Sequence, residues 1–386
     1  MLASTILRTC RCWCCHYFLF ISLLVCWGGG IVLASKVFSL ASLYSYVDPY
    51  LSEKLLAMRY DQVSFATTHN SYAELGKLTA GNQFASIQAS LNQGVRALML
   101  DVHWSDNTNS NVSLCHDDCK QGSIEIDEIL EIIVTFLDDH PVNVVTIIWE
   151  IICTKEQTDC DAIKHEVYNI IEQSKLANML YVPKTSSLGA GFAWPFLQEM
   201  IDNNEKIVLF FDKGSFDRPS HLNLWDHVIE TPFDNNDMND LDATCKFHRG
   251  TPNEPEKMLL NNHFTRLGLI PFSTALVEYN ANPYMYNRMV RCQDELGKPI
   301  TNFIVVDHWY FSSVINTVAC LNSQHEVQTC ESLDIVRILS MFLVSFMGGM
   351  GGILVVYGLL TLYRRLYAVW RKRIDSAVVW CGVLCE

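Results

Sequence analysis

Several short apolar runs each end in a residue that can move a proton or hold a charge. Val63-Ser64-Phe65-Ala66 leads into Thr67-Thr68-His69-Asn70-Ser71-Tyr72. Gly94-Val95-Arg96-Ala97-Leu98-Met99-Leu100 leads into Asp101-Val102-His103, and Leu114-Cys115 into His116-Asp117. Two imidazoles that titrate near neutrality can divide acid–base work. One takes the proton from an attacking hydroxyl, and the other protonates a leaving alkoxide. That is chemistry suited to a phosphodiester, and it makes His69 and His116 the candidate pair. Asp101 stands beside them in the pattern. Asp307 ends the run Thr301-Asn302-Phe303-Ile304-Val305-Val306. Either carboxylate can orient a histidine and hold its tautomer. Arg96 or Lys213 can balance phosphate charge. Singly, each is an ordinary strand-end residue; their recurrence at strand ends raises the pair.

Side chains delivered from strand ends to one place require strands that run in parallel, as in a β/α barrel. The chain has the alternation this needs. Strands are expected at 61–68, 95–102, 112–115, 142–151, 206–211 and 301–306. Helices are expected at 82–92, 126–137, 161–174 and 312–321, where apolar residues recur at helical spacing. Gly94 is placed to end the first of these helices. Val142 to Ile151 is a near-continuous apolar run, as expected of a strand covered on both faces. Residues 215–265 are polar and rich in Asn, Asp and Pro, and read as long loops over the site. The fold class is therefore α/β, a distorted (β/α) barrel.

The ends of the chain have a different character. Tyr17 to Ala34 is apolar and uncharged and follows Arg8 and Arg11, which fits a signal peptide or a signal anchor. If this segment is retained, Cys10, Cys12, Cys14 and Cys15 are candidates for palmitoylation. Residues 338–363 carry no charge and are long enough to span a bilayer. Arg364, Arg365, Arg371, Lys372 and Arg373 follow, which directs the tail to the cytoplasm. The basic tail also argues against a lipid-anchor signal. The expected organisation is 1–35 signal peptide or anchor, 36–56 linker, 57–323 barrel, 324–337 juxtamembrane linker, 338–363 transmembrane helix and 364–386 basic tail. The barrel then faces the lumen or the cell exterior. A net charge of −14 argues against nucleic acid as a partner.

The cysteines fit that oxidising side. Those in the body fall into neighbouring pairs, Cys115 with Cys119, Cys153 with Cys160, Cys245 with Cys292 and Cys320 with Cys330, which we expect to be disulfides. Asn111-Val112-Ser113 is a sequon for glycosylation at Asn111.

Taken together, Thr68-His69-Asn70-Ser71-Tyr72, Gly94-Val95-Arg96, Leu100-Asp101-Val102-His103, Leu114-Cys115-His116, Val144 to Glu150 and Pro299 to Asp307 resemble the PLC-like phosphodiesterase superfamily. The resemblance is to proteins with a phosphatidylinositol-specific phospholipase C X domain, and covers about residues 57–323. It implies a distorted TIM barrel, His69 as general base and His116 as general acid. Asp307 resembles the aspartate that orients the base in the bacterial enzymes. Asn70, Asp101 and Glu150 match calcium ligands of the eukaryotic enzymes, so the resemblance admits Ca2+ as a cofactor. The chain also departs from the pattern. Met99 stands where a calcium-binding glutamate is expected, and His103 stands where the metal-independent enzymes carry an arginine.

The runner-up within the superfamily is a glycerophosphodiesterase or sphingomyelinase D-like hydrolase. Those need an acidic residue at position 99 and a His-Arg-Gly after the first strand. His248-Arg249-Gly250 falls far from that place, inside a loop, and is read as coincidence. The expected function is a membrane-tethered phosphoric diester hydrolase acting on a phospholipid or glycolipid head group, with Arg96, His103 and Lys213 in contact with substrate. The alternative from a different class is an inactive barrel that binds lipid or acts as a receptor, which Met99 favours.

Overall fold

Val145–Ile152 is buried along nearly its whole length, and a strand covered on both faces needs neighbours on both sides. In the computed structural model it is β4 of a nine-stranded sheet. The structure describes residues 50–323, apart from residue 51 and the stretches 79–80, 106–110, 117–118, 120–121, 154–157, 185–192, 214–217, 238–239, 241–244, 252–255 and 266–278. The strands are β1 (Phe65–Thr68), β2 (Val95–Trp104), β3 (Val112–Leu114), β4, β5 (Ile207–Phe211), β6 (His221–Asn223), β7 (Val228–Glu230), β8 (Met258–Asn262) and β9 (Phe303–Val306). The helices are α1 (Glu53–Leu56), α2 (Ile87–Asn92), α3 (Ile126–Asp139), α4 (Thr158–Gln173), α5 (Leu197–Asp202), α6 (Leu224–His227), α7 (Tyr284–Leu296) and α8 (Val314–Ser323).

The sheet order is β6-β5-β4-β2-β1-β9-β8-β7, and every step along it is parallel. Only β3 runs antiparallel, on β2. The first and last strands of this order, β6 and β7, are joined in sequence by α6 alone. The sheet is thus a curled, barrel-like parallel sheet, with β6 and β7 as its edges among the described residues. The α3 face expected from the sequence is the buried one, carrying Ile126, Ile129, Leu130, Ile133, Val134 and Leu137. Gly297 closes α7 in the left-handed region at φ 64°, where a side chain would be strained.

The structure corrects the sequence reading in particular places. Residues 215–265 are not only loops, because β6, α6, β7 and β8 lie there. These strands have three to five residues, too short to show a period. An opening helix after the linker, over residues 36–59, is also expected from the sequence, and α1 is that helix. Tyr50 is buried, stacks on Phe65 at 5.9 Å, and accepts a hydrogen bond at its hydroxyl from Ala66 N at 3.1 Å. Helix α1 adds buried Leu55 to the same core.

Three of the expected disulfides are present, Cys115–Cys119, Cys153–Cys160 and Cys245–Cys292. Cys320 is also disulfide-bonded, while Cys330 lies outside the described residues. The two apolar end segments and the basic tail lie outside them too. Among the described residues no helix is long and apolar enough to cross a membrane. Asn111 is exposed, with φ 56°.

Candidate active site

Register brings the first two site residues together. Thr68 of β1 lies opposite Val306 of β9, so the next residue on each strand, His69 and Asp307, emerge side by side. His69 Nδ1 lies 2.9 Å from Asp307 Oδ1. Both strands then turn sharply: Asn70 and His308, the residues that follow, adopt left-handed φ values of 42° and 48°. Non-glycine residues held there cost energy, and such strain gathers at functional sites. The turns are tied to each other. Asn82 Nδ2 donates to Asp307 Oδ1 at 3.2 Å, Gln83 Nε2 donates to His69 O at 2.6 Å, and Trp309 N donates to Gln83 Oε1 at 3.2 Å. Phe264 stacks on the His69 ring at 4.0 Å, nearly parallel to it. The imidazole is therefore fixed in plane and tautomer, with Nδ1 turned to Asp307 and Nε2 left for chemistry. Burial disfavours its charged form, but Asp307, then Asp101 and Glu150, outweigh that and raise its pKa above the ordinary histidine value.

The neighbouring strands carry the second group. Asp101 of β2 lies opposite Glu150 of β4. Met99, Asp101 and His103 alternate onto one face of β2. Burial, then the Glu150 charge, pushes the Asp101 carboxyl up to about 8. The His69 charge works in the other direction. The Asn70 side-chain amide lies 2.9 and 3.0 Å from the two Asp101 oxygens, its NH2 assigned toward them from the surroundings. Burial, against a hydrogen bond from Ile151 N at 2.8 Å, raises Asp212 to about 6.

His116 follows β3, which pairs with the end of β2 through Val102–Leu114. It sits inside the small ring closed by the Cys115–Cys119 disulfide. The Tyr72 hydroxyl donates to Cys115 O at 2.7 Å, which anchors this loop to the one that carries His69. His103 is buried, with its ligand atom within 4.8 Å of the Cys115 and Cys119 sulfurs. Those sulfurs are in a disulfide, so the trio is not a metal site. Lys213 donates to Ile151 O at 2.6 Å, beside Asp212 at 3.8 Å.

Arg96 does not belong with them. It lies at the start of β2, the end of the strand away from Asp101. Its guanidinium donates to Asn143 Oδ1 at 2.8 Å, Leu91 O at 2.6 Å and Val95 O at 2.8 Å, and lies over the rings of Tyr50 and Phe136. The expectation that Arg96 meets phosphate is corrected: it is a buried structural cation. The opposite correction applies to Arg249. It leaves its loop to form an antiparallel bridge with Glu230 at the end of β7. Its guanidinium pairs with both Glu230 oxygens and reaches 3.6 Å from Glu150 Oε1. Asp212 and Glu230 obey the same strand-end rule as Asp101. Arg249 had no such signal, because a long excursion delivers it.

The calcium expectation can be tested on the donor chemistry. Met99 offers a thioether where an oxygen is needed, and calcium takes oxygen ligands. A guanidinium also faces Glu150, 3.6 Å from its Oε1. This donor set does not fit the ion.

A family model described as PI-PLC X 1 matches residues 55–322. A PI-PLC X domain-containing protein 1 of Arthroderma benhamiae is 31% identical over 209 residues, covering 53% of this chain and 64% of that protein. An uncharacterized secreted protein of the same organism is 26% identical over 283 residues, 68% of this chain and 60% of that protein. The chain thus spans less than two thirds of the length of these relatives. Among solved structures, the phosphatidylinositol-specific phospholipase C of Listeria monocytogenes aligns with a TM-score of 0.45 at 12% identity. It covers 71% of this chain and 99% of that one. With a family model matched over more than half of its length, the chain belongs to the PI-PLC X domain family.

Proposed function

We propose that this protein is a phosphoric diester hydrolase of the phospholipase C type, acting on the head group of a phospholipid or glycolipid. The observation that carries this reading is the 2.9 Å contact between His69 Nδ1 and Asp307 at the ends of adjacent parallel strands. It leaves Nε2 as the base. His69 takes the proton of a head-group hydroxyl, whose oxygen attacks phosphorus. His116 gives a proton to the departing alkoxide. Histidinium at His69 is stabilised by Asp307 as it forms. No step is routed through calcium. His103 and Lys213 are proposed to contact the substrate phosphate.

The relative named a secreted protein supports a luminal or extracellular barrel, and residues 338–363 are proposed to tether it. Tethering concentrates the enzyme at its substrate surface. The assay is the full chain in mixed micelles with phosphatidylinositol or a glycosylated relative, with calcium or chelator, beside His69→Ala and His116→Ala. Activity untouched by both substitutions would sink the mechanism.

A second reading is favoured by Met99, which is buried beside Asp101 and adds no charge or donor to the site. On that reading the barrel binds lipid without turning it over. Head-group binding with no product in the same assay would support it.

A further inference from the structure

Asn82 and Gln83 are buried between the two turns that carry His69 and Asp307. Main-chain bonds fix the pair from both sides. Gln83 N donates to Ala73 O at 3.0 Å, Leu75 N donates to Gln83 O at 2.7 Å, and His308 N donates to Asn82 O at 2.8 Å. The Gln83 side chain then ties the turns together. Its Nε2 donates to His69 O at 2.6 Å and to Val306 O at 3.2 Å, while its Oε1 accepts from Trp309 N. One amide thus serves the carbonyl just past β1 and the last carbonyl of β9. That frame carries Asn82 to Asp307, 225 residues further along the chain.

Two donors meet there on one carboxylate oxygen. His69 Nδ1 and Asn82 Nδ2 lie 2.9 and 3.2 Å from Asp307 Oδ1. Each donor stabilises the negative charge, so each weakens the hold of that oxygen on the other. The positive end of the amide dipole also lies beside the oxygen that an imidazolium would face. Both effects act against the charged form of His69, and burial acts with them. The charges that favour it are Asp307 past β9, Asp101 on β2 and Glu150 on β4. Tyr279 also feels Asp307, but burial, and less strongly that charge, pushes its hydroxyl up to about 12, so it stays neutral.

We infer that Asn82 is a positioning residue for the His69–Asp307 pair: its amide fixes the carboxylate oxygen and limits how strongly that oxygen holds the imidazole proton. A base gripped too strongly by its carboxylate stays protonated and takes no proton from a substrate. Asn82 keeps His69 a free base over more of the neutral range, and Gln83 keeps Asn82 in place. What the pair does rests on the phospholipase C reading, whereas how the pair titrates does not, so the two can fail separately. The full chain in detergent micelles, isotopically labelled at its histidine rings, is titrated by NMR. The His69 signal is assigned by its loss in His69→Ala. The pH profile of phosphatidylinositol cleavage is measured in parallel.

Asn82→Leu removes the donor and keeps much of the volume. It should move the His69 titration to higher pH by roughly half to one pH unit, the differential worth of one hydrogen bond to the carboxylate. Asp307→Asn should move it the other way, and in that background Asn82→Leu should move it far less. The acid limb of kcat/KM should follow the same directions, which a general loosening of the fold would not produce. Asn82→Ala repeats the comparison with a smaller side chain, and thermal melting confirms that each variant is folded. An upward shift without any cleavage leaves the inference standing and removes the catalytic reading. A titration that is unmoved, or moved to lower pH, in a folded Asn82 variant overturns the inference whatever is cleaved.

Discussion

His69 and Asp307 are 238 residues apart in sequence and 2.9 Å apart in space, because β1 and β9 are neighbours with Thr68 opposite Val306. The bond has a kinetic consequence. A base held next to a carboxylate has its pKa raised, so it stays protonated to higher pH. The acid limb of the kcat/KM profile should lie above the ordinary histidine value. Asp307→Asn should move that limb to lower pH and lower the plateau. His69→Ala should cost about 10²- to 10⁴-fold, the usual worth of a positioned acid or base. An unmoved limb in Asp307→Asn would remove His69 from the role of base.

The Cys115–Cys119 ring carries His116, so it should matter more to turnover than to folding. Cys115→Ser with Cys119→Ser should lower kcat at least as far as mild reduction of the wild type does. A loop this short closes few residues, and its stabilising effect is correspondingly modest. A large fall in kcat with only a small drop in melting temperature is the expected pattern. Unchanged kcat in the double variant would separate the disulfide from His116.

Asp101 should make stability fall as pH rises. Its folded carboxyl holds a proton up to about 8, whereas an unfolded aspartate loses it near 3.8. Between those values the unfolded state binds fewer protons, so the folded state is disfavoured with increasing pH. Asp101→Asn should flatten this dependence between pH 4 and 8, and gain stability relative to wild type toward pH 8. Melting temperatures across that range are the measurement, and parallel curves for the two proteins would contradict it.

Arg96 should behave as a stability residue. Arg96→Met removes the donors to Asn143, Leu91 O and Val95 O in a buried place. Leu91 O keeps Gly94 N at 3.1 Å, but Asn143 Oδ1 loses the Arg96 donor, and a buried acceptor left unpaired costs about 1–3 kcal/mol. Denaturant midpoints should fall, while KM for substrate stays near the wild-type value. A raised KM with unchanged stability would return Arg96 to the substrate.

The exposed rings at the rim should serve the lipid surface. Phe84 and Tyr310 lie 5.8 Å apart, on the turns joined by Gln83 next to His69 and Asp307, and are 37% and 43% exposed. Phe84→Ala with Tyr310→Ala should slow hydrolysis of vesicle-borne substrate several-fold and leave a water-soluble short-chain substrate unaffected. Equal losses on both would point to damage in the site itself.

Local signals made much of this protein legible in its sequence. Val145–Ile152 is apolar on both faces, α3 has a helical stripe, and His69, Asp101 and Asp307 stand at strand ends. Each of those features is written within a few consecutive residues, so periodicity and position were enough. The neighbouring cysteine pairs were similarly local. What needed the tertiary structure was everything set by register between distant strands or by a chain excursion. Thr68 opposite Val306 decided that Asp307, and not Asp101, holds the His69 ring. The same arginine type at Arg96 and Arg249 went opposite ways. One lies at the N-terminal end of its strand, spent on carbonyls. The other is carried back to the site by the bridge with Glu230. A side chain's chemistry is set by its residue type. The end of the sheet it serves is set by strand direction and pairing, and those exist only once the strands have paired around their core.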